Sequence, residues 1–481
     1  MSSVRARFPA SETRSTESRS QSGRSAEALP TLRTRPLSGT ALCMLLVVLS
    51  MALGGGGTSN PQTEMILQVL TALVVIPLTV APDWQRGLGK ISKTSWLLAG
   101  LILVMPVVQL VPLPPAIWQS LPGRAIEAQA LAAAQADHRW MPLTMAPSRT
   151  FAALLAMICA VLVMQQVSRL SIGGRNWICA TILVIGALSM LLGVLQLSHT
   201  GGADWSLYDQ FSKGFLVGFQ ANRNAEADVL LICILAFGVL MTTRLSDGRH
   251  HTVVWIGILM GTAPLLIGVL LTGSRTGIAL VVLVLPMLFI MLAPALRIRG
   301  RTLGWLAGTA VGLLVVASAL TQLPAVGKVI DRFSLTHEAR WDLWVDTAYS
   351  IRQVWPIGSG VGTIVPMLEA AERLDTVDPT RPVRAHNDWL EWTLEGGLPG
   401  LVILGLTLLV VGILLVRAWR AARGPKGDPV YRAQVIFAGG ILLVTALHSI
   451  DDYPLRSMAL AALAAVAVGF LLAPAAAQRG H

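Results

Sequence analysis

The chain reads as an all-α polytopic membrane protein of about twelve transmembrane helices, with one large external loop between helices nine and ten. Three observations carry this. Hydrophobic residues make up 54% of the 481 and charged residues 13%, about half the charged share of a soluble domain. Runs of about 18 or more residues with almost no charge recur, and that is the length a helix needs to cross the hydrocarbon. Lysine and arginine concentrate in alternate loops, as the positive-inside rule requires.

Residues 1–37 are rich in Ser, Arg and Thr, have no apolar period, and read as a disordered basic cytoplasmic tail. The first apolar run starts near Leu37 with no cleavage site behind it, so a signal peptide is not expected. Spans are expected at roughly 38–53, 64–80, 95–113, 150–167, 177–198, 225–243, 253–272, 276–295, 303–320, 398–416, 434–450 and 457–474. As one helix, residues 253–295 would run about 64 Å, twice the hydrocarbon thickness. The Thr272-Gly273-Ser274-Arg275 break therefore splits them. This gives helices one to nine across 38–320, a loop at 321–397, helices ten to twelve across 398–474 and a cytoplasmic C-terminus at 475–481.

With the N-terminus inside, the inner segments carry 23 of the 37 basic residues and 6 of the 26 acidic ones. Seven of the outer basic residues lie in the long loop, which the rule exempts. The net charge of +11 is thus a topology signal, and no nucleic-acid partner is expected. The four cysteines lie inside apolar runs, which excludes a disulfide framework and a zinc cluster.

Polar groups at helix ends in a membrane need a reason, and on this topology they gather outside. Asn222-Arg223-Asn224 opens the sixth span: an arginine flanked by amides for an anion, or a capped helix with a snorkelling arginine. Ser274-Arg275-Thr276-Gly277 sits at the turn between spans seven and eight, where free N–H groups and an arginine make an anion site, or an ordinary turn. Arg384-Ala385-His386-Asn387 precedes a helical stretch leading into the tenth span. His386 suits a general base near working pH, or a plain surface position. His448-Ser449-Ile450-Asp451-Asp452-Tyr453-Pro454-Leu455-Arg456 joins spans eleven and twelve and carries more polar groups than a hairpin needs; for His448 a structural network between spans is the preferred reading. Gly358, Gly360 and Gly362 lack the Lys-Ser/Thr of a P-loop and read as a tight turn. Arg340, Trp341, Trp344 and Arg352 suggest an amphipathic helix on the membrane.

The order of these motifs resembles the bacterial O-antigen ligase and O-antigen polymerase superfamily. The resemblance runs over most of the chain. It takes in Val111-Pro112-Leu113-Pro114-Pro115 with Trp118 and Arg124, then Asn222-Arg223-Asn224, then Ser274 to Gly277. Arg340 to Trp344, the Pro356 glycine segment, Ala385-His386-Asn387 and Glu395-Gly396-Gly397-Leu398-Pro399-Gly400 follow in order. The closing His448-Ser449 and Asp452 to Arg456 is similar to exopolysaccharide-type members. The resemblance implies an inner-membrane glycosyltransferase with a periplasmic loop and active site. Its donor would be a glycan on undecaprenyl diphosphate, and its acceptor a glycan or lipid A core. A polysaccharide co-polymerase and membrane lipids would be its partners. His386 matches the family's base, and Arg223 and Arg275 its diphosphate-binding positions. Asn222, Asn224, Ser274, Arg340, Arg384, Asn387, Asp452 and Arg456 are candidates for substrate contact. No metal or cofactor is expected: a diphosphate is a good leaving group, and arginines can hold it. Residues 54–63 also lack the acidic pair of many lipid-sugar transferases.

Polymerisation of exopolysaccharide or O-antigen repeats is the favoured activity, with ligation to lipid A core as the alternative. A polysaccharide-related transporter or flippase is the competitor from another class. Transporters place polar groups near the bilayer midplane, whereas here they crowd one face.

Overall fold

A computed structural model describes residues 39–57, 61–85, 88–198, 205–246, 251–293, 340–373, 383–424 and 427–472. Eleven apolar helices organise them: α1 Gly39–Leu53, α2 Pro61–Val80, α3 Lys93–Gln109, α4 Pro147–Val167, α5 Ile172–Ser198, α6 Arg223–Ser246, α7 His251–Leu271, α8 Arg275–Leu292, α9 Asp388–Ala422, α10 Pro429–His448 and α11 Met458–Leu472. Seven are long and apolar enough to cross a membrane, and four are shorter. The protein is a polytopic helical membrane protein. The tail at 1–37, the span at 303–320, residues 321–339 and 374–382 of the 321–397 loop and the C-terminus at 475–481 lie outside the described residues.

The helix breaks have local causes. Ser274 caps α8, its Oγ accepting from the Gly277 N–H at 3.1 Å, so the 253–295 run does split. The third span is shorter than its apolar run. α3 ends at Gln109, because Pro112 has no N–H and disfavours helix in the residue before it. Pro112 and Leu113 instead pair with Pro142 and Met141 as a two-strand ribbon. Buried Arg124 holds that ribbon by donating to the Pro142 carbonyl at 2.8 Å.

α6 is the central helix, packed against α5, α7, α8 and α10. Every side chain from Val229 to Ala236 is fully buried. A Cβ at Gly277 would lie 2.5 Å from the Ala227 methyl. Only glycine therefore lets the start of α8 meet the start of α6, a small-residue contact of the membrane kind. α9 is about 52 Å long at 1.5 Å per residue and is interrupted by Gly397, whose φ of 56° a side chain resists. Its first ten residues form a separate segment above the kink. Here Pro356 to Gly358 press against the Gly397 backbone, and Leu398 N–H donates to the Pro356 carbonyl at 2.8 Å. The glycine segment is thus a tight turn packed on α9.

Candidate active site

The turn from Ser449 to Tyr453, between α10 and α11, is a hub to which the polar motifs attach. The Asp452 carboxylate is buried and fully occupied. Its Oδ1 lies 3.1 Å from Nδ1 of His386, and its Oδ2 accepts 2.8 Å bonds from both Asn222 and Asn224. Burial alone would raise its pKa. The hydrogen bond and charge of His386, with the charges of His448 and Arg340, hold it well below the usual carboxylate range. Asp451 faces the other way. It receives Arg340 Nη1 at 2.7 Å on one oxygen and the Thr276 hydroxyl at 2.8 Å on the other.

His386 is one of two non-glycine residues with positive φ, at 50°, among the described residues. Such backbone strain collects at functional sites. Its neighbours fix it. Asn387 caps α9, accepting from Leu390 N–H at 3.0 Å, and donates to the Ile450 carbonyl at 2.9 Å. Tyr453 meets the imidazole edge-on, with ring centres 5.0 Å apart. A cavity of about 240 Å³ opens beside the ring, lined by Gly56, Gln210, Phe211, Ser212, Ala221, Asn222, His386 and Tyr453. Apart from His386, its described walls carry no ionisable group except the Tyr453 phenol, which burial pushes up.

The arginines fall into two sets. Arg456 is enclosed by carboxylates: Glu395 at 2.7 Å, and Asp388 and Glu391 each at 3.3 Å. Burial would lower its pKa, but those three charges raise it. Arg384 bonds the Gly57 carbonyl at 3.1 Å and faces Glu391 at 3.4 Å. Both are tied into the scaffold. Arg223 makes no ion pair among the described residues, and its guanidinium stacks on Phe215 at 4.0 Å. The charges of Arg340, Arg275 and Asp452 act on it, and those of Arg340 and Asp451 act on Arg275. Arg340 is paired with Asp451, while the like charges of Arg223 and Arg275 are set close enough to act on each other, an arrangement complementary to an anion. Ser274 is buried and spends its hydroxyl on the α8 cap. The helix at 340–354 is joined to the site, Arg340 on Asp451 and Trp344 donating to the Ala385 carbonyl at 3.0 Å.

Some participants escape the motif reading. Gln109 is fully buried and bridges the glycine turn to α9, donating to the Glu395 carbonyl at 2.9 Å and accepting from Val361 N–H at 2.8 Å. Asp388, Glu391 and Glu395 stand within the third motif without an assigned role; all three hold Arg456 and Glu391 also faces Arg384, and their spacing of three and four residues was the available signal. Gln210 and Phe211 line the cavity from a segment with no motif. No grouping of three His, Cys, Asp or Glu suited to a metal occurs among the described residues.

A His–Asp pair and an arginine group thus meet at the ends of the helices of this membrane protein. Residues 260–405, about a third of the chain, match the family model described as O-antigen ligase, which supports the resemblance to the O-antigen ligase and polymerase superfamily. The matched stretch holds Arg275, Arg340, Arg384 and His386. Arg223, the two asparagines and Asp452 lie outside it and reach it through the fold. No curated protein matches the chain significantly.

Proposed function

We propose that this protein is a bacterial inner-membrane glycosyltransferase with both termini in the cytoplasm and its site at the periplasmic face. The donor is an oligosaccharide on undecaprenyl diphosphate, and the activity is polymerisation of exopolysaccharide or O-antigen repeats. The observation that carries the reading is the His386–Asp452 dyad between a neutral cavity and three arginines. An acceptor hydroxyl in the cavity attacks the anomeric carbon. His386 takes its proton, and the Asp452 carboxylate orients the ring and balances the imidazolium. The bond from the anomeric carbon to the diphosphate oxygen breaks as the new glycosidic bond forms, in one inverting displacement. Arg223 and Arg275, with Arg340 beside them, stabilise the departing diphosphate, the role a metal ion fills elsewhere.

Ligation to lipid A core is the second reading, favoured by the description of the matching family. Gel profiles of lipid-linked and surface glycans from a strain lacking the protein separate the two. Single repeats on the carrier with no long chains mean a polymerase. Long chains stranded on the carrier, with bare lipid A core, mean a ligase. An unchanged profile would overturn both and bring transport forward; counterflow in proteoliposomes without glycan transfer would establish it.

A further inference from the structure

Below the reacting dyad lies a second one. Asp228, one turn into α6, and His448, the last residue of α10, are both 1% exposed. His448 Nδ1 stands 2.7 Å from Asp228 Oδ1, the same ring nitrogen that His386 turns to Asp452. Neither side chain touches the cavity. Two of their polar atoms, Asp228 Oδ2 and His448 Nε2, are buried without a hydrogen-bond partner.

A link between helices does not need this chemistry. Burying a histidine–carboxylate pair costs free energy, and open valences add to it. An apolar contact would join α6 to α10 more stably. The pair's position offers a reason. The His448 carbonyl accepts the N–H of Asp451 at 3.1 Å and of Asp452 at 2.8 Å. Both carboxylates of the hub therefore hang from one peptide, whose side chain Asp228 fixes. The two pairs also share a field: the charge of His448 acts on Asp452, beside those of His386 and Arg340. Asp228, Asp451 and Asp452 are the charges that His448 feels.

We propose that Asp228 and His448 are a positioning pair for the reaction centre, holding the turn that presents Asp452 and setting the charge environment of the His386–Asp452 dyad from the membrane side. The proposal rests on His386 being the base. Asp228 anchors the ring through Nδ1–H, the ring fixes the start of the turn, and the turn aims Asp452. The unpartnered atoms are the cost of placing a polar couple where an apolar contact would leave the start of the turn unanchored.

The test uses the full chain in lipid nanodiscs with Asp228→Asn and His448→Gln. Each is expected to lower kcat about tenfold, as partners behind a catalytic histidine do, with the donor KM held. Each is expected to move the acid limb of the rate–pH profile. In the His386→Ala background neither lowers the residual rate further. An unshifted pH profile, or a loss that adds fully to that of His386→Ala, would reduce the pair to a structural link and overturn the proposal. Nitrogen-15 histidine NMR of the unmutated protein needs no variant to fold: the His448 Nδ1 that faces Asp228 should stay protonated from pH 5 to 9. Free exchange between tautomers would contradict the assignment. If His386→Ala itself transfers normally, it is the base reading that fails.

Discussion

The two His–Asp pairs use the same atoms and sit on opposite sides of one turn, yet their surroundings divide their roles. His386 is 28% exposed and borders the cavity, whereas His448 is 1% exposed and lines none of it. The arginines divide likewise. Arg456 is surrounded by three carboxylates, while Arg223 leans on an aromatic ring and makes no ion pair among the described residues. Residue type does not separate the proposed catalytic groups from scaffold here; exposure and the partners each group already has are what set them apart.

That contrast can be broken at several points. Arg456→Ala removes the cation from Asp388, Glu391 and Glu395. Leaving buried charges unpaired costs about 3–5 kcal/mol, so a large fall in thermal midpoint is expected, with loss of folded protein in detergent. Unaltered stability would return Arg456 to the substrate contacts. Asp452→Asn keeps the shape of the turn and removes the charge behind His386. Transfer should drop about a hundredfold, while the protein still inserts. Its stability effect depends on pH with a definite sign. The Asp452 pKa is depressed in the fold, so its contribution is complete above the ordinary carboxylate value of about 4. It is lost as pH falls through the lower, folded value. The stability gap between wild type and Asp452→Asn should therefore close only below about pH 4; a gap constant with pH would refute the depressed carboxyl.

Smaller effects sharpen the arginine contrast. Arg275→Lys keeps the charge but loses the planar fork, and transfer should fall roughly ten- to a hundredfold. Wild-type kinetics there would remove Arg275 from the diphosphate clamp. EDTA should leave the rate unchanged; a loss restored by Mg²⁺ or Mn²⁺ would mean that a metal shares the arginines' task.

Much of this was legible in the chain. The apolar runs mark eleven helices to within a few residues over most of their ends, and the Thr272-Gly273-Ser274 break falls where α7 meets α8. The third and tenth spans differ for local reasons: Pro112 stops α3 early, and α9 begins ten residues above its kink because Asn387 caps it. The motifs that converge on the hub were visible as polar clusters in apolar surroundings. Partner assignment was not. Nothing in the order of residues says that Asn222 and Asn224 both serve Asp452, 230 and 228 residues away. Nor does it say that Arg456 is already neutralised, although Asp388, Glu391 and Glu395 share a helix face.

The reading depends above all on the proton. The decisive measurement is glycan transfer by purified His386→Ala in nanodiscs, with wild-type thermal stability as the control for folding. Removal of a general base predicts a loss of about 10²–10⁴-fold in a protein that inserts and unfolds like the wild type. Transfer at the wild-type rate would contradict the account, and the dyad would then be scaffold, as its buried counterpart looks from sequence alone.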